Sequence, residues 1–279
     1  MQAMKDYLGF GIAGNFANHL EQAGEAGDFV HVVSDEEGAP KGIFPFYIPK
    51  DNTFLGRYCI DNKKILLPKD TALHAQAEPE IGLECEVVYE QGKVKTLIPK
   101  FFMALDDTSI RNDSNATKIS QKKNFSVASK GCGLRLPIDK FEKGGICDDY
   151  SLTSFLICDG KAHQYGDNAK LTNYSYFYQK LIDWIVKKLN TQEDHAVLEN
   201  LDEIIKRADY PSKILIAIGA TSYTEFAETR FLQEGDEVCV ITYNHNKYSN
   251  EKIKDLIEQG VLSLKDASIV RQEVVRSVD

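Results

Sequence analysis

The stretch EPEIGLECEVVYEQGKVKTLIP, residues 78–99, decides the fold. Two β-rich runs flank EQGK, and a short glycine-containing link between such runs predicts a hairpin. Residues two apart on a strand share a face, so Glu78 and Glu80 aim their carboxylates the same way. Two carboxylates side by side repel and must be solvated, protonated or bridged by a cation. An all-oxygen set of this kind suits Mg²⁺, Ca²⁺ or Mn²⁺ rather than zinc. Just downstream, the apolar run of FFMALDDTSIRND (residues 101–113) ends in Asp106 and Asp107, which offer a third oxygen ligand. Glu84 and Glu86 continue the face as rival ligands, and a plain solvated acidic strand is the alternative.

Outward from the hairpin, the chain alternates strands with single helices. Upstream, residues 7–13 read as a short strand, and residues 15–26, with His19, as a helical turn or short helix. KGIFPFYIP (residues 41–49) is broken by proline and fits a loop and sheet edge. Downstream, residues 153–158 form a strand, and the Asp-Gly pair of CDGKAHQYGDN (residues 158–168) favours a tight reversal. YFYQKLIDWIVKKLN (residues 176–190) is amphipathic, with Phe177, Leu181, Trp184, Ile185 and Lys188 on a helical period. A second helix spans residues 198–211 and stops at Pro211. Strands at residues 234–242 and 267–276 are separated by a helix near residues 250–259. No internal repeat is present, and the pattern predicts an α+β fold on a folded β core.

Bulk composition narrows the function. The 279 residues carry a net charge of −9, which works against nucleic-acid or anionic-membrane binding. A small molecule or a second copy of the chain is the expected partner. The longest apolar run, ILIAIGA (residues 214–220), falls far short of the roughly 20 residues that cross a bilayer. Six cysteines form no CxxC pair, and the start lacks a signal-peptide pattern, so reduced thiols in the cytoplasm are expected.

Taken in order, several segments resemble the fumarylacetoacetate hydrolase superfamily. GNFANH (residues 14–19) resembles its Gly-x-Asn-Tyr-x-x-His segment, and EPEIGL (residues 78–83) its Glu-x-Glu-Leu-Gly-Val metal strand. DDTSIRN (residues 106–112) is similar to Asn-Asp-x-Ser-Ala-Arg-Asp, which puts the metal aspartate at Asp107. KKNF (residues 122–125) is similar to Lys-Ser-Phe and puts the active-site lysine at Lys123. DGKAHQYGDN (residues 159–168) and LQEGDEVCVIT (residues 232–242) resemble the family's Asn-Gly turn and Gly-Asp strand. The resemblance implies one domain over residues 1–279, with residues 1–75 carrying the His19 segment and residues 76–279 a mixed β-roll core with peripheral helices. It implies a homodimer and one Mg²⁺ or Mn²⁺, with Ca²⁺ a further candidate, on Glu78, Glu80 and Asp107. Asn15, Arg111, Gln164 and Thr242 would contact substrate.

The implied reaction is hydrolysis of a carbon–carbon bond in an acylpyruvate-like or β-diketo acid. His19, oriented by Glu21 or Glu25, would take a proton from water, and Lys123 would stabilise developing negative charge. Several positions depart from the family. Gln22 stands where an acid often follows the histidine, Ile48 replaces a lysine before Pro49, and YNHNKYSN follows Thr242 where a Gly-Thr-Pro loop is usual. The segment between Arg111 and Lys123 is also short. A decarboxylase, hydratase or isomerase needs the metal-held enolate but not the His-acid pair and is the alternative; a metal-bound binding protein without turnover is another.

Overall fold

The computed structural model describes residues 4–276 apart from 17, 18, 33, 35 and 37. The chain runs through β1 (Leu8–Ala13), α1 (His19–Gln22), β2 (Gly42–Tyr47), β3 (Lys64–Leu67) and β4 (Ala75–Gln76) into the hairpin of β5 (Pro79–Glu90) and β6 (Lys93–Asp106). Then come β7 (Ser109–Ile110), α2 (Ile119–Lys123), β8 (Gly131–Cys132), β9 (Leu136–Pro137), β10 (Tyr150–Cys158), β11 (Lys161–Gln164) and β12 (Ala169–Lys170). The remainder holds α3 (Tyr178–Thr191), α4 (Leu201–Arg207), β13 (Lys213–Ala217), α5 (Glu225–Thr229), β14 (Glu237–Asn244), α6 (Asn250–Glu258) and β15 (Ala267–Arg276).

The hairpin forms as expected. Its two-residue link, Gln91 and Gly92, has φ of 51° and 75°, a left-handed pair whose twist matches that of the flanking strands. Asp159 and Gly160, at 52° and 72°, reverse β10 into β11 in the same way. The β5–β6 hairpin is the middle of a sheet ordered β2-β1-β13-β5-β6-β8, with β9 also on β6. A second sheet is ordered β11-β10-β14-β15-β3, with β12 on β10. Most neighbours are antiparallel, but β1 runs parallel to β13 and β3 parallel to β15. The sheets pack face to face, burying Phe10, Ile81, Leu83, Phe102 and Ile216 of the first with Leu152, Leu156, Val240 and Val270 of the second. The fold is α+β. The amphipathic helix α3 joins this core through Leu181, Ile182, Trp184, Ile185 and Leu189.

Two expectations need adjustment. Within residues 15–26, expected as a helical turn or short helix and of which 17 and 18 lie outside the described residues, α1 ends at Gln22 and a 3₁₀ turn follows at Ala26–Phe29, because Gly24 and Gly27 disfavour helix propagation. The helix expected over residues 198–211 narrows to α4, capped by the Asn200 side chain on the Glu203 N–H. As expected, the proline-bearing β2 lies at a sheet edge, where a residue without an N–H is tolerated. Ile48 is fully buried in the core.

Alternation along β5 sends Ile81 and Leu83 into the inter-sheet core and therefore Glu80 to the opposite face. On that face β1 offers Gly9, Gly11 and, at its end, Ala13, and the rings of Phe46 and Phe44 lie over the two glycines. A Cβ at Gly11 would sit 2.3 Å from the Phe44 ring. That ring in turn lies 5.3 Å beneath the Lys123 ammonium. Gly11→Ala is thus expected to destabilise the fold by about 1–3 kcal/mol through overpacking, read as a lower urea midpoint. An unchanged midpoint would mean that Phe44 moves freely.

Candidate metal and acid–base centre

The ends of the hairpin build the centre. In the β5–β6 register Pro79 faces Asp106 and Glu80 faces Leu105, and the Asp107 N–H donates to the Glu78 carbonyl at 2.9 Å. Glu78 and Asp107, distant in sequence, are therefore neighbours. Oxygens of Glu78, Glu80 and Asp107 lie within 4.8 Å of one another, and all three residues are buried. The register also separates the two aspartates: Asp106 accepts from the Glu78 N–H at 3.3 Å and the Thr108 hydroxyl at 2.6 Å, so its carboxyl is spent on backbone and turn. Burial pushes that carboxyl up to about 7.

The rival acids lie elsewhere. Glu84 accepts from the Tyr7 hydroxyl and pairs with Arg135, while Glu86 is within 3.9 Å of Lys100 at the surface.

Three buried cations face the triad. The Lys123 Nζ, on α2, is 2.6 Å from Glu78 Oε2 and 2.8 Å from Asp107 Oδ2. The Lys130 Nζ is 2.7 Å from Asp107 Oδ1. Arg111 Nη1 is 2.8 Å from Glu78 Oε1 and 2.5 Å from Glu25 Oε1, and the same guanidinium donates to Gln76 and to the Tyr223 hydroxyl. These neighbours hold Glu78 and Glu25 below the usual carboxylate range against the opposing effect of burial, Lys123 foremost for Glu78 and Arg111 for Glu25.

Glu80 differs. Its Oε2 accepts the Gly219 N–H at 2.7 Å, yet among the described residues it has no ion-pair partner, and burial together with Asp107 raises its carboxyl well above the ordinary range. Gly219 has φ +112°, a conformation that L side chains rarely adopt, and a Cβ there would also crowd Asn15 at 3.0 Å. A buried carboxylate without a counter-charge in an all-oxygen cluster fits a hard divalent cation.

His19 stands beside the triad. Its Nδ1 is 2.9 Å from the Thr221 carbonyl, which can only accept, so the neutral ring carries its proton on Nδ1 and leaves Nε2 bare. That Nε2 is buried, has no hydrogen-bond partner among the described residues, and lies 3.8 Å from Glu78 Oε2. Burial lowers the imidazole pKa from its ordinary 6.5, with Glu78 pulling the other way. The native ring thus refuses a proton that the unfolded chain accepts, and the fold loses stability as pH falls through 6.5. Thermal midpoints at roughly pH 7.5 and 5.5 should therefore fall further apart in the native protein than in His19→Gln; equal slopes would contradict this.

A small, mostly enclosed cavity of about 10 Å³ adjoins His19, with Glu25, Glu78, Lys123, Leu20 and Phe44 among its walls. That is room for one water.

The other expected site residues are placed as follows. Glu21 is exposed on the outer side of α1, while Glu25 is the carboxylate of that segment that enters the network. Gln22 bridges to Tyr223 and Glu228. Asn15 is consumed as a brace, donating to the Tyr176 and Ile218 carbonyls and accepting from the Tyr176 N–H. Gln164 bonds to Thr153, Gly166 and Asn250, and Thr242 to the Ser151 carbonyl. Neither Asn15, Gln164 nor Thr242 lines the small cavity. Gln76, Lys130 and Tyr223 join the network without having drawn notice in the sequence; a lysine amid the small residues of SVASKGCG was the one available hint.

Residues 25–274 match the model of a family of unknown function, DUF5718. The chain belongs to that family. No curated protein matches it. Among solved structures, this DUF5718 chain is similar to Cg1458 solved with an inhibitor, at 14% identity, TM-score 0.55, and 97% of this chain against 77% of the other. It is similar to 5-carboxymethyl-2-hydroxymuconate delta-isomerase from Mycobacterium smegmatis, at 14% identity, TM-score 0.52, covering 98% and 80%. It is also similar to a protein from Yersinia pestis CO92 described as of the fumarylacetoacetate hydrolase family, at 12% identity, TM-score 0.52, covering 96% and 93%. These likenesses establish that the DUF5718 chain has the fumarylacetoacetate hydrolase fold that its motifs implied. Among the described residues no helix is long and apolar enough to cross a membrane.

Proposed function

We propose that this DUF5718 protein is a divalent-metal-dependent enzyme that hydrolyses a carbon–carbon bond in an acylpyruvate-like or β-diketo acid. The observation that carries the reading is the bare, buried Nε2 of His19 beside a one-water cavity walled by Glu78 and Lys123. Glu78, Glu80 and Asp107 are the residues to hold Mg²⁺ or Mn²⁺, which supplies Lewis-acid stabilisation of an enolate oxygen. His19 Nε2 takes a proton from water as its oxygen attacks the distal carbonyl. The bond from that carbonyl carbon to the methylene then breaks, its electron pair passes into the pyruvate enolate, and the imidazolium returns the proton to carbon. Glu25 reaches the reaction through Arg111, fixing the Glu78 carboxylate, while Lys123 sets positive charge at the cavity wall.

Room for one water is not room for a keto acid, because small-molecule sites run to hundreds of Å³. Substrate entry therefore displaces the wall that α1 and the following 3₁₀ turn supply through Leu20 and Glu25. Amides of residues 19–29 should exchange hydrogen faster in the free protein than with Mn²⁺ and oxalate bound; unchanged exchange would count against this entry route.

Pyruvate release from an acylpyruvate in the presence of Mn²⁺ tests the reaction. Metal-dependent release that His19→Gln abolishes supports hydrolysis. Turnover of oxaloacetate that survives the substitution favours decarboxylation, a reading that gains from Gln22 standing where an acid would complete the His pair. No metal-dependent turnover of any keto acid leaves a binding protein.

A further inference from the structure

Among the described residues Lys130 has a single anionic partner, the proposed metal ligand Asp107. Its Nζ is fully buried, 2.7 Å from Asp107 Oδ1, and is held there by the Lys123 carbonyl at 2.6 Å and the Thr108 carbonyl at 3.2 Å. With Lys123 on Oδ2, both oxygens of Asp107 face ammonium groups, as both oxygens of Glu78 face Lys123 and Arg111. A buried charge with excellent geometry and satisfied donors is not displaced cheaply, because removing its partner strands it in a medium of low polarity.

We infer that Lys130 makes the acidic triad a weak cation site on its own and a strong one only when an anionic ligand enters with the ion. The inference rests on the metal-dependent keto-acid reading above. The ion-paired network and Glu80 hold four carboxylates, Glu25, Glu78, Glu80 and Asp107, against three fixed cations, Arg111, Lys123 and Lys130. Asp106 stands outside the count because it is not one of the grouped ligands and, among the described residues, makes no ion pair, its oxygens taken by the Glu78 N–H and the Thr108 hydroxyl.

Once an entering ion displaces the proton that burial keeps on Glu80, four against three leaves one negative charge, which the divalent ion overshoots to one positive. The single carboxylate of a keto acid returns the buried cluster to neutrality, and the dianion oxalate is drawn by the same positive excess. Without Lys130 the balance is four against two, which a divalent ion matches alone. The ligand class is thus a small carboxylate anion that chelates through a neighbouring oxygen, and by linkage each member of the pair strengthens the binding of the other equally.

The test is Mn²⁺ binding followed by electron paramagnetic resonance, with and without oxalate, corrected for Mn²⁺–oxalate in solution. The native protein should bind Mn²⁺ at least tenfold tighter with oxalate than without. Lys130→Met should bind Mn²⁺ alone at least tenfold tighter than the native protein and gain less from oxalate. Lys130→Gln, which keeps a donor for the Thr108 carbonyl and removes the charge, serves if Lys130→Met does not fold. A folded variant no tighter than the native protein overturns the inference, as does native binding of Mn²⁺ alone with a Kd below about 10 µM. Absence of Mn²⁺ binding under every condition, oxalate included, defeats the metal reading itself rather than the role of Lys130.

Discussion

Arg111→Met is expected to destabilise the protein by about 3–5 kcal/mol, the scale on which a buried ion pair fails when one partner is removed. The guanidinium donates to four groups, on Glu25, Glu78, Gln76 and Tyr223, and little of it is exposed. Its loss strands Glu25 with no other ion-pair partner among the described residues, and Glu78 with Lys123 alone. Urea denaturation measures the effect. A change below about 1 kcal/mol would show that the carboxylates are held by other means and would leave Arg111 free for a purely substrate-binding role.

His19→Gln is expected to lower turnover about 10²- to 10⁴-fold while Mn²⁺ binding persists. Glutamine keeps a donor for the Thr221 carbonyl but has no basic nitrogen to set at the cavity. The pH profile supplies a second check. Because burial holds the imidazole below 6.5, the base stays neutral into mildly acid solution, and the acid limb of kcat/KM should lie below pH 6.5. An acid limb above that value, or a variant with native turnover, would remove His19 from the chemistry. Loss of Mn²⁺ binding together with turnover would instead give it a role in building the site.

Much of this was legible in the chain. EQGK and Asp159-Gly160 announce their reversals because left-handed backbone at a two-residue link has few sequence solutions. Period-two spacing put Glu78 and Glu80 on one face. What spacing could not do was choose between Asp106 and Asp107 without a motif, since that depends on which residue lies just past the last rung opposite Pro79. Nor could it anticipate that β1 would lie parallel to β13, or β3 to β15, pairings across roughly 200 residues that only packing of both sheets determines.

Charged residues were harder still. Glu21 and Glu25 look alike in sequence, yet Gly24 and the 3₁₀ turn after α1 carry only Glu25 inward. Lys130 has no motif, and its meaning comes wholly from the carboxylate it meets. Asn15, Gln164 and Thr242 show the converse: polar residues in family-like positions whose groups are occupied in holding strands and loops together.

The strand exit from Gly219 to Thr221 serves two groups of the centre at once. One of its amides orients Glu80 and one of its carbonyls fixes which nitrogen of His19 is protonated. Proton acceptor and proposed ion ligand therefore share a single mounting, three residues long. Any displacement of that mounting misaligns both at once, so sequence drift there should silence the protein abruptly rather than by degrees.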